Sequence, residues 1–469
     1  MGPQANAQST DAVIPLRSMQ DGGKILGVPV GSFSCCLDWL RTHFQEMSPP
    51  LRTLGKLPAR AALTLIRSSY NSRMDYLRKT SGTAVVNSQI FGEYDTLIDN
   101  AILTTSIADN RDRLRAMRAF PLTKGGLGMP VLEGHHGHRH HLVTAMRTRE
   151  FLKTYYPHFI EAHTITFNID DIDIEGTPPD ELAETIDEVR ARHPTESSLH
   201  TFVAALRKWS EDSDSAAVYS FHQGLIDSDE LASAAIFLSG QGVKQSFVVY
   251  SATPRFNSEI RLSNKEYIEA MRFLLLAPFK MNMEGFFTCR CRRDNPWSLL
   301  THPYHSSNCP LNGRERTTRH TAVCQLLCKL LRKASPTARV TVEPREASAP
   351  RHPDIAVEDD ALLFHIDVSI VEPTSVQALT ANVGSATTKG ATAAYKEREK
   401  NSIYASTEWV NVVPFVLEST GHLGKEAEAL LEKTTATNRA LRSWFLDELS
   451  LLLARSQGRM RLHSLALLR

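Results

Sequence analysis

The chain has 469 residues, of which 42% are hydrophobic and 22% are charged. A chain of this length has room for about three domains with their own cores, and its composition excludes collagenous, low-complexity and acidic disordered proteins. The longest uncharged apolar runs, 273–279 and 412–417, are far shorter than the roughly 18 residues of a membrane span. No secretory signal is visible, so we expect an intracellular protein with no membrane partner, whose seven cysteines stay reduced.

The formal net charge is only +1, but the charge is unevenly distributed. Residues 289–345 contain eleven lysines and arginines against three acidic residues. A local excess of positive charge is the electrostatic signature of a surface that contacts nucleic acid.

In chain order, the first 20 residues lack hydrophobic periodicity, and we expect a frayed start that follows an upstream segment. A short apolar run at 24–31, bounded by glycines, predicts a pair of strands. Helical spacing of apolar residues predicts helices over 37–77, with a break at Leu57-Pro58, and over 94–117. The glycines of 120–129 predict a tight turn.

The middle of the chain predicts connecting helices, and the last third predicts an α/β domain. An acidic linker is expected at 168–179, before helices at 179–193, 198–210 and 264–276. Strand-like runs then alternate with a helix around 385–404, and one or two helices close the pattern at 430–468. The strand-like runs are 340–342, 355–357, 362–371 and 409–417.

Three cysteines and a histidine lie close together in a basic, turn-rich segment. Cys289, Cys291, His305 and Cys309 supply the three sulfurs and the imidazole of a closed tetrahedral zinc site, and His302 competes with His305 for the nitrogen position. The segment is too polar to bury three thiols unaided, which favours zinc over buried thiols beside a surface histidine.

The residues around this cluster have separate predicted roles. Three neighbouring arginines are expected to contact phosphates from the rigid zinc knuckle: Arg290, Arg292 and Arg293. The remaining four cysteines are expected to be structural: Cys35, Cys36, Cys324 and Cys328.

Two aspartates lie in apolar runs on either side of the polar turn 358–361, which predicts a β-hairpin. If those four residues are the whole turn, Asp354 faces His365, and the carboxylates of Asp354 and Asp367 share one face as diagonal neighbours. An aspartate among β-branched residues is costly if it is charged and unpaired, so it calls for a metal, a cation or exposure. Oxygen ligands favour Mg²⁺ or Mn²⁺.

Downstream, Lys396, Lys400 and Tyr404 recur every four residues and therefore share one helix face. A lysine beside a metal-bound water and a phosphate can position the nucleophile and offset developing charge. The alternative is a solvated helix face, which is the usual role of such lysine- and glutamate-rich helices.

Together these motifs resemble the C-terminal portion of a site-specific non-LTR retrotransposon reverse transcriptase protein, which carries a restriction-enzyme-like endonuclease after its polymerase. Residues 24–31 resemble the strand pair that closes the polymerase palm, and 57–78 and 122–129 resemble the thumb. The Cys/His cluster resembles the zinc knuckle of the family, and Arg319 and His320 resemble the Arg-His pair that follows it.

The nuclease motifs of the family are matched in the same order. Pro353-Asp354 with Asp367 resembles the PD…D core, Lys400 with Tyr404 resembles the displaced lysine and tyrosine, and 414–421 resembles the closing strand and turn. Ser369 stands where the standard nuclease core has lysine, and the family similarly moves that lysine to the helix. Lys400 is therefore the expected lysine, with Lys396 in reserve.

The resemblance spans about 24–430 and implies a multidomain α plus α/β protein, in which a helical thumb and linker precede a small zinc knuckle and a PD-(D/E)xK-like nuclease domain. The expected divisions are a frayed N-terminus with a palm remnant (1–34), the thumb (35–150), a helical linker (151–285), the knuckle (286–325), the nuclease (326–430) and C-terminal helices (431–469).

The function implied is that of a Mg²⁺- or Mn²⁺-dependent DNA endonuclease that nicks target DNA so that the freed 3′ hydroxyl primes reverse transcription. Asp354 and Asp367 would hold the ion, Lys400 would assist the attacking water, and Tyr404 would orient that lysine or a phosphate. The implied partners are double-stranded DNA and element RNA in the nucleus. The arginines of the knuckle would contact nucleic acid together with Arg319 and His320.

The paired aspartates of the polymerase are missing from the sequence, so we expect no DNA synthesis from this chain alone. The alternative function is a catalytically decayed, nucleic-acid-binding relic of the same element.

Overall fold

The computed structural model describes residues 23–25, 28–30, 32–80, 89–132, 191–192, 198–242, 260–279, 288–289, 291, 298, 302–342, 352–359, 362–409 and 411–467. The predicted linker at 168–179 lies outside these residues, as does nearly all of the helix predicted at 179–193. Within the described ranges, no helix combines the length and the apolar character needed to cross a bilayer.

The first region is a short strand pair followed by helices. Strands β1 (Gly23–Ile25) and β2 (Val28–Val30) pair in antiparallel fashion, as the apolar run at 24–31 predicts. The helices are α1 (Phe33–Thr53), α2 (Ala59–Leu65), α3 (Ser72–Thr80), α4 (Ile90–Thr104), α5 (Arg111–Ala119), α6 (Ser198–Asp227), α7 (Leu231–Gly240) and α8 (Asn264–Leu274).

These helices share one apolar core, to which α4, α7 and α8 contribute Phe91, Phe237 and Phe273. The buried Arg118 of α5 donates to Asp95 of α4 over 2.6 Å, so the charges that enter this core are paired. The predicted turn after α5 is confirmed, because Gly125 and Gly128 adopt positive φ angles of 84° and 59°.

The second region is a four-stranded sheet with helices on both faces. Its elements are α9 (His305–Asn308), α10 (Gly313–Ala334), β3 (Arg339–Val342), β4 (Ile355–Asp359), β5 (Leu362–Val371), α11 (Ala391–Tyr404), β6 (Val412–Glu418), α12 (Lys425–Thr435) and α13 (Arg439–Ala466). The strand order is β3-β4-β5-β6, with antiparallel pairing except between β5 and β6. The parallel pair needs a crossover, and α11 supplies it.

The β4–β5 hairpin is present, but its register differs from the prediction by two residues. Asp359 pairs with Leu362 and Ile355 pairs with Ile366, so the turn is shorter than the four polar residues suggested. His365 pairs with Ala356 and does not face Asp354. A shift of two residues leaves every side chain on its predicted face, because side chains alternate with a period of two.

The two faces of β5 have different chemistry. Ile366 and Val368 point into a core that also contains Val323 of α10, Phe415 of β6 and Phe445 of α13. The intervening Asp367 therefore points to the opposite face, where α11 packs.

The last helix, α13, packs against both regions. Gly458 lies so close to α8 that a Cβ atom there would be 2.4 Å from the carbonyl oxygen of Glu266. Beside this contact, Arg461 of α13 pairs with Glu269 of α8 at 2.9 Å, with both side chains buried. Leu449 of α13 also packs in the core of the sheet, so one helix completes two cores.

Candidate metal and catalytic sites

The predicted zinc ligands come together in the structure. Cys289 Sγ is 3.4 Å from Cys309 Sγ, and Cys291 Sγ is 3.2 Å from His305 Nε2. The four donor atoms all lie within 4.8 Å of one another, so the cluster could hold a metal ion such as zinc. The competing histidine, His302, is not a member of this group.

The surroundings of the cluster favour a bound ion. Phe279, Cys289 and Cys309 form a small buried apolar cluster of their own. Burial and the neighbouring thiols raise the pKa of Cys309 to about 12. This thiol can become a thiolate at neutral pH only if a cation compensates its charge, which is what a tetrahedral zinc ion does. Arg290, Arg292 and Arg293, predicted to contact phosphates beside this cluster, lie outside the described residues.

Asp354 lies at the edge of the sheet, just before β4 begins. Its backbone N–H donates to the carbonyl of Ile366, and its Oδ2 accepts from the backbone N–H of Val368 over 2.7 Å. The carbonyl of Val368 lies 3.1 Å from His320 Nε2, on α10. Two side chains therefore satisfy the backbone of β5 where β4 no longer accompanies it.

The same two side chains form an ion pair, with 3.4 Å between His320 Nε2 and Asp354 Oδ2. The hydrogen bond with Asp354, and next the one with Cys324, raise the pKa of His320 to about 11. Burial raises the pKa of the Cys324 thiol, and the charges of Asp354 and Asp367 raise it further.

Asp367 receives two side chains from α11. Lys400 Nζ is 2.6 Å from Asp367 Oδ2, and the Tyr404 hydroxyl donates to Oδ1 over 3.0 Å. Lys396, the reserve lysine, instead pairs with Glu399 on its own helix at 2.7 Å. Of the three residues on the predicted helix face, Lys400 and Tyr404 thus contact Asp367, whereas Lys396 contacts Glu399.

The first turn of helix α11 is fixed by its cap and by the end of strand β6. Gly390 begins it with a φ of 71°, and Glu418 at the end of β6 accepts from the backbone N–H of Ala393 over 3.3 Å. Glu418 also accepts from Ser239 of α7, and burial raises the pKa of its carboxyl group. A carboxylate at the first turn of a helix is favourable, and here it also fixes the register of Lys400 and Tyr404.

Arg319, predicted to contact nucleic acid, is buried. Its guanidinium donates to Glu372 over 2.9 Å, and the residue is 3% exposed. Burial raises the pKa of Glu372 despite the opposing charge of Arg319. In this structure the guanidinium is therefore committed to a pair within the protein.

A second cluster of possible metal ligands was not predicted from the sequence. His320, Cys324 and Asp354 have donor atoms within 4.8 Å of one another, although the sequence assigned Cys324 to the core and His320 to nucleic acid. The four-residue spacing of His320 and Cys324 on a helix was the available signal, because such residues are neighbours on the helix surface.

Comparison with known proteins adds no relative to this description. No protein-family model matches the sequence, and no curated protein is significantly similar to it.

Proposed function

We propose that this chain is the endonuclease portion of a retrotransposon reverse transcriptase protein and that it nicks target DNA to prime reverse transcription. The observation that carries the proposal is the convergence of Lys400 and Tyr404 on Asp367. An acid on a strand in the middle of the sheet, met by a lysine and a tyrosine from the crossover helix, is what a PD-(D/E)xK-like nuclease domain with a displaced lysine requires.

The reaction would be hydrolysis of a phosphodiester bond, in which water adds to phosphorus and the 3′ oxygen leaves as a hydroxyl. Asp354 and Asp367 are the residues that would hold Mg²⁺ or Mn²⁺, since Asp354 bonds to the backbone of Val368, the residue after Asp367, and both offer the oxygen donors that these ions prefer. When bound, such an ion would activate water and offset charge on the phosphate.

The side chains of α11 have separate parts in this proposal. Lys400 is 19% exposed, so its ammonium group can reach an incoming phosphate or the attacking water while it stays beside Asp367. Tyr404 is buried and holds the orientation of the Asp367 carboxylate. Placement of these groups on a sheet and a packed helix keeps them in position before the substrate arrives.

The remaining parts of the proposal concern binding. The Cys/His cluster would hold a structural zinc ion, and Arg290, Arg292 and Arg293 beside it would contact the phosphates of double-stranded DNA. Element RNA is the second proposed partner, and the nucleus is the proposed location.

Nicking of supercoiled plasmid in the presence of Mg²⁺ or Mn²⁺ tests the proposal. We expect nicking by the wild type that a chelator stops, and its loss in Asp354→Asn and Asp367→Asn. The asparagine at 354 can still accept the Val368 hydrogen bond, so the charge is removed with little change in structure. Glu358→Gln is the matched control, an exposed acid on β4 that should nick like the wild type. Undiminished nicking by both aspartate variants would refute the assignment.

A catalytically decayed, nucleic-acid-binding relic is the second candidate. It is favoured by the pairing of each carboxylate with its own cation, Asp354 with His320 and Asp367 with Lys400, since such pairs stabilise the site without a metal. Tight binding of duplex DNA by a wild type that never nicks it, with any divalent ion, would select the relic.

A further inference from the structure

We propose that His320, Cys324 and Asp354 form a second metal site that takes a thiophilic divalent ion such as Zn²⁺ or Cd²⁺. We further infer that this ion inhibits nicking because it takes Asp354 away from Asp367. The inhibitory part rests on the proposed nuclease function, whereas the binding part stands without it.

The backbone already places the three donors together. His320 and Cys324 lie one helical turn apart on α10, and Asp354 reaches them from the edge of the sheet. Cys324 Sγ is 3.9 Å from His320 Nδ1 and 4.0 Å from Nε2, and His320 Nε2 is 3.4 Å from Asp354 Oδ2. Ligand atoms around a tetrahedral zinc ion lie roughly 3.3 to 3.8 Å apart. All three donors lie within 4.8 Å of one another, so side-chain shifts of up to about 1 Å and a rotation of the imidazole ring would complete the site.

The chemistry of the donors selects the kind of ion. One sulfur, one imidazole nitrogen and one carboxylate oxygen suit a borderline or soft ion and discriminate against Mg²⁺, which prefers oxygen alone. Three protein ligands leave a fourth position for water. That position can reach solvent, because the side chains of His320 and Asp354 are 36% and 21% exposed while Cys324 is buried.

Binding would carry a defined cost. The ion must displace the proton that His320 shares with Asp354 and, if it binds at Nε2, the contact with the Val368 carbonyl. Affinity should therefore lie below that of the four-ligand Cys/His cluster, which has three sulfur donors. An ion in the weaker site would come and go at concentrations that leave the Cys/His cluster filled.

The consequence for the proposed catalysis follows from the shared residue. Asp354 belongs both to this triad and to the proposed acid pair with Asp367, and a carboxylate that is coordinated to Zn²⁺ or Cd²⁺ is a poor ligand for Mg²⁺. Occupancy of the triad would thus suppress nicking while Lys400 and Tyr404 stay on Asp367.

Counting bound Cd²⁺ tests the site directly. Bound metal is first removed from the protein with a chelator under reducing conditions. The protein is then equilibrated with Cd²⁺ by dialysis at mildly alkaline pH. The number of bound ions is measured together with the thiolate-to-metal absorbance. We expect two ions per wild-type chain and one in Cys324→Ser. Cys328→Ser, the same change one turn further along α10 and equally buried, should keep two.

Two further variants keep the count interpretable. Cys309→Ser should lose the ion of the Cys/His cluster and retain the one at the triad. If circular dichroism shows that Cys324→Ser does not fold, His320→Gln takes its place with the same expected loss of one ion. A folded Cys324→Ser or His320→Gln variant that still binds two ions, or a wild type that binds one, would overturn the site.

Inhibition is measured separately on plasmid nicking with Mg²⁺. Zn²⁺ at a concentration that fills the triad should slow the wild type at least tenfold and slow Cys324→Ser less than twofold, each relative to its own rate without Zn²⁺. Equal inhibition of both would refute the inhibitory role while leaving the binding count in place. A wild type that never nicks would refute the proposed function, and the count of bound ions would still decide whether the triad is a site.

Discussion

The Cys/His cluster and the acidic site on the sheet reach their geometry by different routes. Among the described residues, the apolar cluster at this site consists of Phe279 and two of the cysteines, with Cys291 and Leu465 packed against them, so we expect its shape to depend on what its donor atoms bind. The acidic site rests on a sheet whose core is formed by three helices, and its charges already have partners, such as Lys400 for Asp367. A metal would build the first site and would only complete the second.

We expect metal removal to have its greatest effect at the Cys/His cluster. Removing metal with a chelator should make the amides of 288–291 exchange with solvent at least about 100-fold faster, because the few apolar side chains described around Cys289 and Cys291 would not hold this part of the chain without the ion. Amides of the central strand β5 should keep their protection. Hydrogen exchange read by mass spectrometry measures both regions in one experiment.

The Cys309→Ser variant provides the control for that treatment, since it should show the same fast exchange without chelator. Equal loss of protection in β5 and in 288–291 would contradict the independence of the two sites.

At the acidic site, we expect a smaller effect when the lysine beside Asp367 is removed. Lys400→Ala should slow plasmid nicking by about 100-fold, the usual loss when one preorganised charge is removed from a developing anion. Lys396→Ala removes the same charge one turn earlier, where the lysine pairs with Glu399, and should slow nicking less than threefold.

The single-turnover rate constant with protein in saturating excess over DNA is the quantity to compare, because it excludes differences in DNA affinity. An equal loss in both lysine variants would mean that α11 contributes general positive charge and no specific group.

The smallest effect tests how rigidly α11 is held. Gly390→Ala should lower the free energy of unfolding by about 1 to 3 kcal/mol, since its φ is 71° and a Cβ atom would be 2.3 Å from His422 Nε2. Gly224→Ala, inside α6 with open space around it, should raise the stability by up to about 1 kcal/mol. Urea denaturation of both variants gives the changes in the free energy of unfolding. Equal destabilisation would show that the close contact at Gly390 does not matter.

Prediction from sequence succeeded where the signal was local. The spacing of Cys289, Cys291, His305 and Cys309 identified a set of donors that the fold brings within 4.8 Å. The glycines at 125 and 128 predicted a turn that needs positive φ angles. The alternation of β5 placed Asp367 opposite the apolar core even though the hairpin register was wrong, because a shift of two residues preserves the face.

Prediction failed where a contact joins distant elements. Nothing local distinguishes Arg319, which is buried against Glu372, from an arginine that faces solvent. The core position predicted for Cys324 is confirmed, but its proximity to Asp354 was missed because it depends on how α10 packs under the edge of the sheet. Such contacts are set by tertiary packing, which the periodicity of one segment does not contain.

The packing of α13 across two cores has a consequence for synthesis of the protein. Helices α1 to α8 and the whole sheet are synthesised before α13. Both regions lack part of their packing until that helix has been made. Co-translational folding of either body therefore stops short of the native state, with apolar surface left for chaperones to cover. A chain truncated before residue 439 would have two incomplete cores, and we expect the whole truncated chain to be degraded.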